Sequence, residues 1–156
     1  MARVPRSALP DGAYHITARG VDGAPIVLDD LDRLFFARLL RSTALTLDWG
    51  LHAWCLLTNH FHLVVEAPRI RVSAGMKRIN GLYAQRFNLR HARRGHLFQD
   101  RFASWVIEDD DYLETVCGYV LANPVRAGLV RSVEEWRWAG LGIPSFAPGS
   151  PLRRAA

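Results

Sequence analysis

An α+β fold is what this chain of 156 residues predicts: a ferredoxin-like βαββαβ arrangement with a four-stranded antiparallel sheet, followed by one further helix. Two patterns carry that expectation. Over four short runs, apolar residues alternate or cluster as they do in strands, and over longer runs between them they recur at three- and four-residue spacing, the period of a helix. Along the chain the order is strand, helix, strand, strand, helix, strand, helix.

The first strand follows the turn signal Pro10-Asp11-Gly12 and covers about 12–19, with His15, Thr17 and Arg19 on one face. Asp29 or Asp30 can cap a helix in which Leu31, Leu34, Phe35, Arg38, Leu39 and Ser42 repeat at helical spacing to about Leu47. Leu51–Leu57 and His60–Glu66 are extended runs separated by Thr58-Asn59, a spacing that suits a tight hairpin. A second helix fills about 70–90, its apolar stripe made by Met76, Ile79, Leu82, Tyr83 and Phe87. His91–Asp100, with Gly95, reads as a loop, and Phe102–Ile107 as the fourth strand. The acids Glu108-Asp109-Asp110-Asp111 complement the positive end of a helix dipole, so a last helix runs from Asp110 to Ala122 and ends before Pro124. Residues 1–143 are expected to form one domain and residues 144–156 a flexible tail.

No apolar run reaches the 18 residues of a membrane-spanning helix, and Met1-Ala2-Arg3-Val4-Pro5-Arg6 lacks the apolar stretch of a signal peptide. A cytoplasmic protein is expected, nucleoid-associated if it binds DNA. Cys55 and Cys117 are far apart and lie in apolar patterns, so they read as core thiols and not as a disulfide or metal pair. The formal net charge is +5, and the distribution says more than the total. From Arg69 to Arg101 there are nine basic residues and one acid, Asp100. Such a one-sided block is an electrostatic footprint for a polyanion, with Arg86, Arg90, Arg93, Arg94 and Arg101 foremost and Lys77, Arg78 and Arg19 beside them. A solvated helix face is the plainer reading of the same charges.

His60 and His62 lie one residue apart in a strand, so both imidazoles point to one face while Phe61 and Leu63 point to the other. In a βαββαβ sheet the first and third strands are central neighbours, which sets His15, Thr17 and Arg19 beside His60, His62 and Glu66 on the face the two helices leave uncovered. The last helix can pack there. On it, Tyr119 and Asn123 are four residues apart and share a side, a hydroxyl nucleophile beside an oxygen ligand. A cation held by His60, His62 and an amide or carboxylate oxygen keeps positions open for phosphate oxygens. Glu66 could equally position a ligand or end the strand in solvent. A structural zinc site drawn from His15, His52, Cys55 and His96 has no paired spacing in its favour.

The run His60-Phe61-His62 and the segment Tyr119-Val120-Leu121-Ala122-Asn123-Pro124-Val125-Arg126-Ala127-Gly128-Leu129-Val130 resemble the motifs of REP-associated tyrosine transposases, which are single-tyrosine HUH transposases. Tyr14-His15-Ile16-Thr17-Ala18-Arg19-Gly20, Asn59-His60-Phe61-His62-Leu63, Phe87-Asn88 and Gly95-His96-Leu97-Phe98-Gln99-Asp100-Arg101-Phe102 extend the resemblance over about 10–138. It implies that His60, His62 and Asn123 hold Mg²⁺ or Mn²⁺, that Tyr119 is the nucleophile, and that the partner is single-stranded or hairpin DNA cleaved and rejoined through a 5′-phosphotyrosine. It also leaves a monomer or a homodimer as the working form. The chain departs from the family at Leu57-Thr58, usually Met-Pro, at Val21-Asp22-Gly23-Ala24, and at Trp138-Ala139-Gly140, usually Trp-Ser-Ser. Two rival readings are a non-catalytic DNA-binding module of the same fold and a metal-dependent hydrolase that uses water.

Overall fold

The computed structural model describes residues 11–146 of the chain. Its elements are β1 Gly12–Arg19, α1 Asp30–Thr46, β2 Gly50–Leu56, β3 His60–Ala67, α2 Arg69–Arg90, β4 Ala103–Ile107, α3 Asp110–Arg126 and β5 Ala139–Leu141. The helices begin where short acceptors meet their first amides. Asp29 accepts from the Asp32 amide at 3.0 Å, Asp109 from that of Tyr112 at 2.7 Å, and Asp11 from that of Arg69 at 2.8 Å.

The expectation of four strands is corrected to five, in one antiparallel sheet of order β4-β1-β3-β2-β5. β5 pairs with β2, Gly140 opposite Trp54. Three residues centred on a glycine offer no alternation for a periodicity reading to register. Flanking tryptophans dock the segment instead: the Trp136 indole donates to the Leu56 carbonyl at 3.0 Å, and the Leu56 amide donates to the Trp138 carbonyl at 2.8 Å.

One face of the sheet carries Ile16, Phe61, Leu63 and Val65 against α1 and α2, where Leu40, Met76, Ile79 and Tyr83 are buried with them. The other carries Ala53, Cys55, Val64 and Ile107 against Val116 and Val120 of α3. Pleating alone separates the two sets on β1 and β3. On β2 an irregularity between Leu51 and Ala53 is needed, and it lets both Leu51 and Trp54 face α1 and α2. Gly75 lets α2 approach closely, because a Cβ there would lie 2.0 Å from Cζ2 of the buried Trp49.

The sequence ends α3 at Ala122, but the helix continues through Pro124 to Arg126. Proline has no amide to donate to the Val120 carbonyl one turn back. Nδ2 of Asn123 stands in for it, 3.3 Å from the Val120 oxygen and 3.2 Å from that of Tyr119. The helix then stops at Gly128, whose φ of 73° suits glycine, with the Gly128 amide donating to Val125 and the Leu129 amide to Pro124. Of the expected tail, Pro144 accepts from the Arg41 guanidinium at 3.0 Å and Phe146 lies under Arg38. Residues 147–156 lie outside the described part. Among the described residues no helix is long and apolar enough to cross a membrane.

Candidate active site

The antiparallel register of β1 and β3 sets Thr17 opposite His62 and Arg19 opposite His60, so the residues expected to share a face do so. Helix α3 packs across that face on β2 and β3 of the same chain. Between helix and sheet lies a cavity of about 460 Å³, walled by His15, Arg19, His60, His62, Trp105 and Tyr119 among others. Tyr119 is half exposed, with its ring centroid 6.3 Å from that of His62 and 6.1 Å from that of His15, each contact edge to face. The Arg126 guanidinium covers the Tyr119 ring at 3.7 Å.

Both ring nitrogens nearest the backbone are engaged. Nδ1 of His60 lies 2.7 Å from Oδ1 of Asn59, and Nδ1 of His62 lies 2.9 Å from Nε2 of His15. Nε2 of His62 is buried without a hydrogen-bond partner. Burial, with the neighbouring His60, His15 and Arg126 adding to it, pushes the His62 imidazole down to about 3. Burial also lowers His15, and burial together with the Arg19 charge lowers His60. All three rings are therefore neutral at neutral pH, the form that binds a metal. A buried, unpartnered imidazole nitrogen is a poor end state in a metal-free core but a fitting donor for a divalent cation. The pair thus fits a divalent cation that takes imidazole nitrogen together with oxygen ligands. No group of three His, Cys, Asp or Glu side chains among the described residues could hold a metal, so further ligands must be amide, water or substrate oxygens.

Asn123, expected as the third ligand, is not in the cavity wall. Its nitrogen serves the helix carbonyls as described, and its Oδ1 accepts from Arg126 at 3.0 Å. Glu66 is drawn away from the histidine pair by His52, at 2.7 Å near the surface. Cys55 is buried beneath α3, and that burial raises its thiol to about 12, so it is inert packing.

A family model described as Transposase IS200 like matches residues 10–123. The chain belongs to this family. Membership gives it a transposase-like role in processing DNA. The fold is also similar to that of a solved chain described as the structure of a REP-associated tyrosine transposase bound to a REP hairpin: the TM-score is 0.70 at 18% identity, covering 89% of this chain and 82% of that one. A putative transposase from Deinococcus radiodurans R1 gives a TM-score of 0.51 at 16% identity, covering 76% and 95%. At these identities both likenesses are likenesses of fold. No curated protein matches the chain.

In this IS200-like transposase the basic helix is not on the face of the histidines. Helix α2 belongs to the opposite layer, so Lys77, Arg78 and Arg86 stand away from the cavity, separated from it by the sheet. Several of these cations have protein partners. Arg90 grips Asp29 at 2.6 Å and the buried Asp32 at 2.8 Å, which holds the Asp29 carboxyl down to about 2. Arg93 ties Asn88 at 3.1 Å to the His96 carbonyl at 2.8 Å, Arg78 donates to Ser42, and Arg86 lies over the Phe35 ring. Lys77, Arg94 and Arg101 are exposed. The loop before β4 links the two sides: the Val21 amide donates to Leu97 and the Gln99 amide to Arg19, so Arg101 is near the end of β1 that carries Arg19. On the far side, Lys77 and Arg101 edge a second cavity of about 870 Å³ between α2 and this loop.

The sequence sets His15 on the face of the histidine pair without showing its bond to His62, and it does not single out Arg126. A signal existed for each. Arg126 follows Tyr119 by seven residues, two helical turns, which returns it to the same side of α3. His15 shares a face with Thr17, and pairing β1 with β3 brings it diagonally beside His62.

Proposed function

We propose that this transposase cleaves and rejoins single-stranded or hairpin DNA through a covalent 5′-phosphotyrosine on Tyr119, with His60 and His62 as ligands of Mg²⁺ or Mn²⁺. The observation that carries the reading is the Tyr119 ring standing edge-on to the His62 and His15 rings in a cavity, open to solvent, that His60 also lines. The Tyr119 oxygen attacks phosphorus, the bond from phosphorus to the 3′ sugar oxygen breaks, and the sugar leaves as a hydroxyl whose proton balances the one the phenol gives up. One phosphodiester is exchanged for another, so a second 3′-hydroxyl can reverse the step and rejoin strands without an outside energy source. When bound, the cation would draw negative charge off a phosphate oxygen at the scissile position.

Around that centre, Arg19 in the cavity wall and Arg126 on the Tyr119 ring give positive charge for the phosphate. Asn123, whose Oδ1 accepts from Arg126, would be the third ligand of the cation. Farther out, Arg101, Arg94 and Lys77 extend the positive path around the end of β1 toward α2, with Arg78, Arg86 and Arg93 along it, and would hold the DNA backbone through phosphates. Arg90, given to two carboxylates, contributes there mainly by holding the end of α2. A REP-like hairpin is the substrate to try first, since one protein of similar fold is described in complex with one.

The deciding experiment incubates labelled hairpin DNA with the protein and Mn²⁺ and resolves the mixture under denaturing conditions. A denaturant-resistant complex that Tyr119→Phe abolishes is expected. Binding without an adduct across a panel of hairpins would leave a non-catalytic DNA-binding module, and cleavage without an adduct would leave a hydrolase using water.

A further inference from the structure

His60 and His62 are both held by the same ring atom, and what holds them decides where their protons sit. The Asn59 amide has a definite orientation, because its Nδ2 donates to the Gly23 carbonyl at 3.3 Å. Its oxygen is therefore the atom that faces Nδ1 of His60 at 2.7 Å, and an amide oxygen only accepts. His60 must carry its proton on Nδ1. For His62 the argument runs through the other nitrogen. Nε2 is buried with no partner, so a proton there would be a donor with nothing to receive it. The proton belongs on Nδ1, donated to Nε2 of His15 at 2.9 Å, and His15 in turn keeps its own proton on Nδ1. His15 is itself steadied by Trp105, whose ring centroid is 5.4 Å away, and is stacked on His62 at 5.2 Å and 20°.

We infer that Asn59 and His15 are positioning residues that lock His60 and His62 in the Nδ1–H form and so turn both Nε2 lone pairs toward one divalent cation. The inference rests on the metal reading above and adds to it the two residues that make the histidines competent. Partners of this kind fix ring orientation and raise ligand basicity, and losing one typically weakens metal binding about 10–100-fold.

The test begins on metal-free protein. Histidine-ring ¹⁵N–¹H correlation spectra at neutral pH should show the Nδ1–H form for both His60 and His62. His15→Phe keeps a flat ring but offers no acceptor; it should move His62 out of that form and weaken Mn²⁺ binding, followed by the loss of the free Mn²⁺ electron-paramagnetic signal, about 10–100-fold. His15→Gln supplies an oxygen near the place of Nε2 and should restore both readouts. Asn59→Ala should do to His60 what His15→Phe does to His62, and Asn59→Asp, which keeps the acceptor, should restore it. A wild-type spectrum with either proton on Nε2 overturns the inference, and so does a folded His15→Phe that binds Mn²⁺ like the wild type. If a variant fails to fold, the wild-type spectrum decides alone. Should the wild type bind no Mn²⁺, the metal reading falls and the cation clause with it, while the spectra still decide whether the two residues set the tautomers.

Discussion

The two faces of the sheet are built from the same strands and do opposite work. Against α1 and α2, Ile16, Phe61 and Leu63 are wholly buried among aromatic and aliphatic side chains that seal the layer. Against α3 the apolar contact is smaller and stops at Val64 and Ile107, and past its edge the strand positions are His15, Thr17, Arg19, His60 and His62 around a cavity. β3 therefore holds the core with its odd residues and lines the cavity with its even ones, and β1 does so with the parity reversed, because pleating keeps the two sets apart. The core side gives β3 the rigidity that the proposed pair of metal ligands would need.

The comparison is most sharply broken by exchanging the two kinds of residue for smaller ones. Tyr119→Phe should remove the covalent adduct entirely while changing unfolding stability by less than about 0.5 kcal/mol, since Tyr119 is half exposed. Phe61→Ala, on the sealed face one residue from each histidine, should cost about 3–5 kcal/mol in a urea titration. A Tyr119→Phe protein that still forms the adduct, or a Phe61→Ala protein as stable as the wild type, would mean the faces are not divided in this way.

Acid should expose the cost of keeping the cavity histidines neutral. His62 is at about 3 when folded against an ordinary 6.5. Between those values the unfolded chain takes up a proton that the folded chain refuses, so stability is full above about pH 6.5 and is lost as pH falls. Going from pH 7 to pH 5 should remove about 2 kcal/mol, 1.5 units at 1.36 kcal/mol each, with His15 and His60 acting in the same direction. Denaturant titrations of the metal-free protein at the two pH values check this, and equal midpoints would refute it.

The smallest effects concern the basic residues. Arg94→Ala should leave the melting temperature in place and lower the slope of log affinity against log salt by about 1 for hairpin DNA. Arg90→Ala should do the reverse, lowering the melting temperature by freeing Asp29 and the buried Asp32 while leaving the salt slope nearly as it was. If the two variants behave alike, the division between structural and DNA-facing arginines drawn from their partners is wrong.

Much of the centre was legible because it depends on short periods. The one-residue gap from His60 to His62 and the four-residue gap from Tyr119 to Asn123 each define a shared side without knowledge of anything else. What was not legible depends on partners distant in the chain. Nothing near Asn123 tells that its amide replaces the missing Pro124 donor, since that requires the helix to continue past a residue that usually ends one. Nothing near Arg90 tells that carboxylates 61 and 58 residues away will claim it. A charge run read along the chain has no sidedness until α2 has been laid on one layer.

By itself the amino-acid sequence determined the order of strands and helices and the residues that share a face within each, because those follow from the local geometry of the backbone. The βαββαβ pattern also sets β1 beside β3 and leaves that face to the last helix; only the tertiary structure decided that His15 bonds His62 there and that the Tyr119 ring meets both. The same packing sent the basic helix to the other side. These are choices between surfaces, made by which apolar stripe fits which face, and no single stretch of chain contains both surfaces at once.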